Sequence, residues 1–238
     1  MIKIENQEVL GFEHAIRGMR NPMNSWDKSD SKVVDENCED CMFKNDYTVC
    51  KHNPIHDCFK YDIGENDLDL MTRLSKAGTD HRKFMRMIVV YADITAPLYW
   101  WKEYDTYKVG TVANSCSTMH RIHEKEFTLD NFSHEHLDVK TIEVLRNTIK
   151  VLNDYRNLYV NYNPDDLEIN GCPSKKDFWW QMIQLLPQSY NQKRTVMLNY
   201  EVLKNMFHSR KNHKLDEWHT FCDWIEKLPY AKEFGLCD

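Results

Sequence analysis

The chain has 238 residues, 42% hydrophobic and 29% charged, with a formal net charge of -6 and a pI near 6.0. That length carries one large domain or two small ones, and the acidic balance argues against bulk nucleic acid as a partner, which general binders meet with a basic surface. No apolar run reaches the roughly 18 residues of a membrane span, and the charged N-terminus M-I-K-I-E-N lacks a signal peptide's apolar core, so the reading is a soluble, cytoplasmic protein.

Residues 1–10 read as a short strand. Residues 11–20 read as a short helix or loop with Arg17 and Arg20 on one helical face. Two arginines so placed can hold a phosphate or form a solvated basic face. Asn21-Pro22 closes the element. Residues 27–66 are a polar insert with Cys38, Cys41, Cys50 and Cys58 in a C-x2-C-x8-C-x7-C pattern. Cytoplasmic cysteines are thiols or metal ligands before they are disulfides. A C-x2-C turn can chelate one tetrahedral ion with two ligands from a second loop, which gives a closed, structural zinc site. Free thiols, or a disulfide pair in an oxidising compartment, are the alternatives.

Asn66–Ala77 reads as a helix closed by Gly78. Phe84–Ile94 is a strand or the end of a buried helix. Thr95 is placed as the N-cap of a helix with Pro97 in its first turn and Tyr99, Trp100, Trp101 and Tyr104 on its buried face. Residues 106–120 form a loop rich in small hydroxyl residues, which hydrogen-bond a ligand or their own backbone. Residues 124–136 are loop. Leu137–Tyr162 is the longest helix, with Leu145, Ile149 and Leu152 at helical spacing. Ser174 caps another, and Asn199–Arg210 and Leu215–Leu228 are amphipathic helices. No nucleotide-binding glycine fingerprint occurs among the seven glycines.

Two stretches carry more than periodicity. Ala96-Pro97 is followed by Glu103, Thr106, Tyr107 and Lys108, then by Asn114, Ser117, Met119 and His120. Leu186-Pro187 leads twelve residues on to Asn199-x-Glu201-x-Leu203-x-Asn205-x4-Arg210. The first has the spacing of Q-x-x-R-H-R with a following S-x-N-E-x-S-x-R-Y loop. The second has that of N-x-R-x-L-x-N-x4-R after an L-P. Over 66–120 and 183–225, and more weakly over 11–25 with its R-x-x-R, the chain resembles the flavin-dependent thymidylate synthase family.

The resemblance implies a single α+β domain over 1–238, a mostly antiparallel sheet flanked by long helices, with the Cys-rich insert within it. It implies a homotetramer with sites between subunits, dUMP as the nucleotide, and FAD, folate and NADPH. Carried over by position, Glu103, Thr106, Tyr107, Lys108, Asn114, His120 and Arg210 would meet the nucleotide. Asn199, Asn205, Tyr107 and Lys108 would meet the flavin. Arg210 would orient the pyrimidine, and Ser117 would face the reacting carbon. The loop here is one residue longer than the family's pattern, and aligned without that extra residue Cys116 takes that place instead. A thiolate there is the stronger nucleophile, and a buried, unreactive thiol is the ordinary alternative.

The departures are as specific as the matches. The R-H-R triplet reads Thr106-Tyr107-Lys108, and Ile183 and Glu201 stand where the family carries arginines. Each lost bond to a charged phosphate forfeits about 1.5–3 kcal/mol. Three readings follow. The first is an enzyme acting on a pyrimidine nucleotide. The second is a nucleotide-binding or nucleotide-sequestering protein of phage origin, in which Trp100, Trp101, Tyr104 and Tyr107 stack on a base. The third is a zinc-organised interaction protein.

Overall fold

Backbone geometry fixes the first turn. Lys3–Leu10 is strand β1 and Phe12–Arg20 is helix α1. Gly11 joins them at φ 96°, where a Cβ would stand 2.1 Å from the Met87 carbonyl oxygen. Only glycine has both the conformation and the room. The structure, a computed structural model, describes residues 2–33, 61–163 and 173–237.

The elements that follow are β2 (Lys32–Val33), β3 (Tyr61–Asp62), α2 (Glu65–Lys76), β4 (Val89–Pro97), α3 (Leu98–Tyr104) and β5 (Thr111–Ser115). The chain continues through α4 (Val139–Val160), α5 (Lys175–Leu185), β6 (Asn191–Asn199), α6 (Tyr200–Arg210) and α7 (Asp216–Ile225). Mixed helix and antiparallel sheet is the class that the resemblance implies. The main sheet has four strands in the order β1-β4-β6-β5, and β2 pairs antiparallel with β3. The chain divides into two units: Met1–Lys3, Thr95–Tyr104 and Ser115–Arg194 form one, and the remaining segments Ile4–Ile94, Asp105–Asn114 and Thr195–Asp238 form the other.

In the first unit, α4 and α5 pack on one another through a core of Leu145, Ile149, Leu152 and Met182, joined by Phe127 and Phe132. Both helices start on side-chain caps. Asp138 accepts from the Thr141 amide at 2.8 Å, and Ser174 and Asp177 form a reciprocal capping box. Trp100, Trp101 and Tyr104 of α3 are fully buried against each other. They are core, so the expectation that they stack on a base is corrected. Burial of aromatic area outweighs display when three such residues share one helical face.

In the second unit, Phe12 meets Tyr200 and Phe84 meets Phe234 edge to face, and Phe12 and Phe234 meet at a tilt. A polar knot lies beside them. The Asp67 carboxylate, with no exposure, accepts from Arg20 Nε at 2.6 Å, Ser29 Oγ at 2.7 Å and Ser31 Oγ at 2.6 Å. Asp30 in turn caps α2, accepting from the amides of Asn66 and Asp67 at 2.9 and 3.1 Å. Residues on both sides of the β2–β3 ladder are therefore tied to one helix end. Arg20 is spent in this knot while Arg17 is exposed, so the two do not act as a paired phosphate clamp.

Two further expectations are corrected. Thr95 is a strand residue and caps nothing, because β4 runs on through Pro97 before α3 begins. Residues 106–120 are not all loop, since Thr111–Ser115 forms β5. Asn191–Asn199, whose composition is mixed in polarity, is β6, with Gln192, Val196 and Leu198 buried in alternation. Cys38, Cys41, Cys50 and Cys58 lie outside the described residues. Among the described residues no group of three or more His, Cys, Asp or Glu gathers to hold a metal. No helix there is long and apolar enough to cross a membrane.

Candidate functional site

The second unit brings two of the expected residues together across 103 positions of sequence. Arg210, at the last turn of α6, donates from Nε to the Tyr107 hydroxyl at 2.8 Å. Its guanidinium carbon lies 5.4 Å from the Tyr107 ring centroid and 4.9 Å from that of Trp218. Tyr107 and Trp218 meet edge to face at 6.2 Å. A planar cation between two aromatic faces is held by the ring quadrupoles as well as by its hydrogen bond. Arg210 and Tyr107 are half-buried and Trp218 is buried.

The start of α6 supports the same corner. Asn199 is its N-cap, its Oδ1 accepting from the Val202 amide at 2.9 Å. Gly110, at φ 80°, lies so close that a Cβ there would come within 2.6 Å of Asn199 Nδ2. Thr111 Oγ1 donates to the Tyr107 carbonyl. Asn199 thus does structural work: it starts the helix whose far end presents Arg210. Asn205 is exposed on α6, Asn114 is exposed on β5, and Thr106 and Lys108 are exposed on either side of Tyr107.

Glu201 explains one departure from the family pattern. It is buried in the first turn of α6 and accepts from Arg82 Nε with both carboxylate oxygens, at 2.9 and 3.1 Å. The position that carries an arginine in the pattern is here half of an internal ion pair. Arg82 was not singled out in the sequence, and an isolated arginine in a polar stretch gives no signal of a partner 119 residues away. Trp218 was placed only on a helix. Its distance of eight residues beyond Arg210 was the one available sign.

The first unit holds the other expected residues. Cys116 is exposed and its backbone is fixed at both ends: its N–H donates to the Lys193 carbonyl and its carbonyl accepts from Gln192 Nε2, each at 2.9 Å. Exposure corrects the expectation of a buried thiol. Burial, and then the charge of Cys116, push the Tyr190 phenol above its usual value. Arg194 donates from Nε to Gln192 Oε1 at 3.0 Å and lies 4.2 Å from the Trp101 ring centroid. Ser117 Oγ accepts from the His120 amide at 3.0 Å, closing a local turn. Glu103 is half-buried on α3, and His120 is exposed.

No protein-family model and no curated protein matches this chain. Solved structures do. Thymidylate synthase X (ThyX) from Helicobacter pylori, crystallised with FAD and dUMP, matches at a TM-score of 0.60 and 14% identity, over 100% of this chain and 99% of that one. A second structure, flavin-dependent thymidylate synthase ThyX from Helicobacter pylori complexed with FAD and dUMP, matches at 0.58 and 13%, over 99% of each chain. At this identity the likeness is one of fold: the chain is built like a flavin-dependent thymidylate synthase from end to end.

Proposed function

We propose that this protein binds a pyrimidine nucleotide of the dUMP kind through Arg210 and does not carry out flavin-dependent methyl transfer. The observation that carries the reading is the Arg210–Tyr107–Trp218 cluster, standing where the motif spacing puts the pyrimidine-contacting arginine in a fold whose solved neighbours hold dUMP. A pre-set guanidinium pays little entropy on meeting an anionic or carbonyl oxygen.

The residues fit FAD poorly. Of the positions carried over for the flavin, Asn199 has its amide oxygen committed to the α6 cap, and Glu201 beside it is an inward-facing anion. Lys108 is the cation that remains among those positions, whereas a dinucleotide pyrophosphate calls for several charge-assisted donors. Flavin chemistry therefore has no part in this reading. The resemblance also implies a homotetramer, which the mass in solution tests.

The test is a thermal shift with dUMP, dTMP and FAD in turn. The expected result is a rise in Tm with the pyrimidine nucleotides, lost in Arg210→Ala and reduced at least tenfold in affinity in Arg210→Lys, whose ammonium keeps the charge but not the planar fork. FAD should produce no shift. A purified protein that retains flavin absorbance and converts dUMP to dTMP would establish the enzyme reading in place of this one.

A further inference from the structure

The group that meets Arg210 in this structure is itself a flat ring with an oxygen on its rim. Arg210 Nε donates to the Tyr107 hydroxyl at 2.8 Å. Both side chains lean on one indole: the guanidinium carbon is 4.9 Å from the Trp218 ring centroid, and the phenol meets that ring edge to face at 6.2 Å. A uracil or thymine ring offers the same parts. It is flat and six-membered, and a carbonyl oxygen on its rim accepts from a guanidinium as the phenol oxygen does. Tyr107 therefore has the shape and the acceptor of the ligand proposed for Arg210.

The phenol is also placed to leave. Residues 105–110 join α3 to β5 outside any helix or strand, and Thr106 and Lys108 flank Tyr107 in solvent. The backbone there is held by a separate tie, from Thr111 Oγ1 to the Tyr107 carbonyl. Rotation of the half-buried Tyr107 side chain to another staggered rotamer moves the phenol and leaves that tie intact. We infer that the Tyr107–Arg210 contact is autoinhibitory: the phenol fills the place of the pyrimidine ring, and a nucleotide enters only when Tyr107 swings out. The inference rests on the reading of Arg210 as the pyrimidine-binding residue. A hydrogen bond to a charged donor, net of its exchange with water, favours the closed form by at least about tenfold. Apparent affinity falls by the same factor, because only the open fraction is competent to bind. The opposite role, in which Tyr107 stays in place and helps Arg210 hold the ligand, predicts the reverse in each measurement that follows.

Equilibrium dialysis of dUMP against the full chain tests this. Tyr107→Phe keeps the ring and removes the acceptor, and affinity should rise about tenfold. Tyr107→Ala empties the place, and affinity should rise at least as far. A third measurement needs no substitution, so it holds whatever the variants do to folding. In the natural chain, saturating dUMP should speed acetylation of the Tyr107 hydroxyl by N-acetylimidazole, read by peptide mass spectrometry, because the ligand displaces the phenol into solvent. Unchanged or weaker binding in Tyr107→Phe, or protection of Tyr107 by dUMP, would overturn the inference and leave the Arg210 reading standing. No binding of dUMP to the natural chain or to either variant would overturn both.

Discussion

Replacing Glu201 with Gln removes one charge and almost no volume. Glu201 is buried, and both its oxygens receive Arg82 Nε. The two side chains are 10% and 15% exposed, so water screens the pair little. Breaking such a pair from one side leaves a desolvated guanidinium and costs about 3–5 kcal/mol. Partial access of Arg82 to solvent puts the expectation at the low end, about 3 kcal/mol. At about 2–4 °C per kcal/mol for a chain of this size, Tm should fall by roughly 6–12 °C. Urea denaturation is the assay, with the slope checked for constancy. Arg82→Met should cost a similar amount, and Arg82→Met with Glu201→Leu should recover much of the loss, since two apolar side chains leave no unpaired charge. Costs under about 0.5 kcal/mol for Glu201→Gln, or additive singles, would refute the reasoning. The same geometry bears on function. Glu201→Arg restores the family's residue but sets two guanidiniums in one buried place. It should lower stability further, and on the proposed reading it should give no thermal shift with FAD.

Asp67→Asn should also destabilise, and with a pH signature. Burial pushes the Asp67 carboxyl up, but hydrogen bonds from Ser31, Ser29 and Arg20 outweigh it and hold the carboxyl below its usual value. A lowered folded pKa contributes stability above the unfolded value of about 3.9, lost as pH falls through the folded value. The gap in Tm between the natural chain and Asp67→Asn should therefore be full near neutrality and close in acid. A gap that does not change with pH would count against the knot. Gly110→Ala should cost about 2 kcal/mol in thermal melts, roughly half from left-handed strain and half from displacing the Asn199 cap. A neutral result would mean that Asn199 does not start α6. Thiol labelling near neutral pH, followed by peptide mass spectrometry, should modify Cys116 long before Cys222. Cys116 is exposed, whereas burial, aided by Asp223 and Cys237, raises the Cys222 thiol to about 12. Equal rates would contradict that placement.

Elements that depend on near neighbours were legible. The apolar spacing of Leu145, Ile149 and Leu152 announced α4. Ser174 and Asn199 marked the starts of α5 and α6, since a cap needs only the amides two or three residues on. β5 and β6 were not legible. Their residues are mixed in polarity, and a strand is chosen by the neighbours that complete its hydrogen bonds rather than by its own composition. The motif spacing located Arg210 and Tyr107 separately, and nothing local says that one hydroxyl meets the other's Nε.

By itself the sequence determined which segments are helical, where most of them begin, and that the chain is spaced like a flavin-dependent thymidylate synthase with most of its cations replaced. Tertiary structure alone decided what each surviving polar group does. Arg20 is tied into the Asp67 knot, Glu201 is tied to Arg82, the tryptophans of α3 fill a core, and Arg210 is fixed between Tyr107 and Trp218. Caps and periodicity act over one or two helical turns, and the code for them is contiguous. Ion pairs and ring contacts join residues tens to more than a hundred positions apart, and which of several similar side chains meets which is settled only when the packed core fixes their distances.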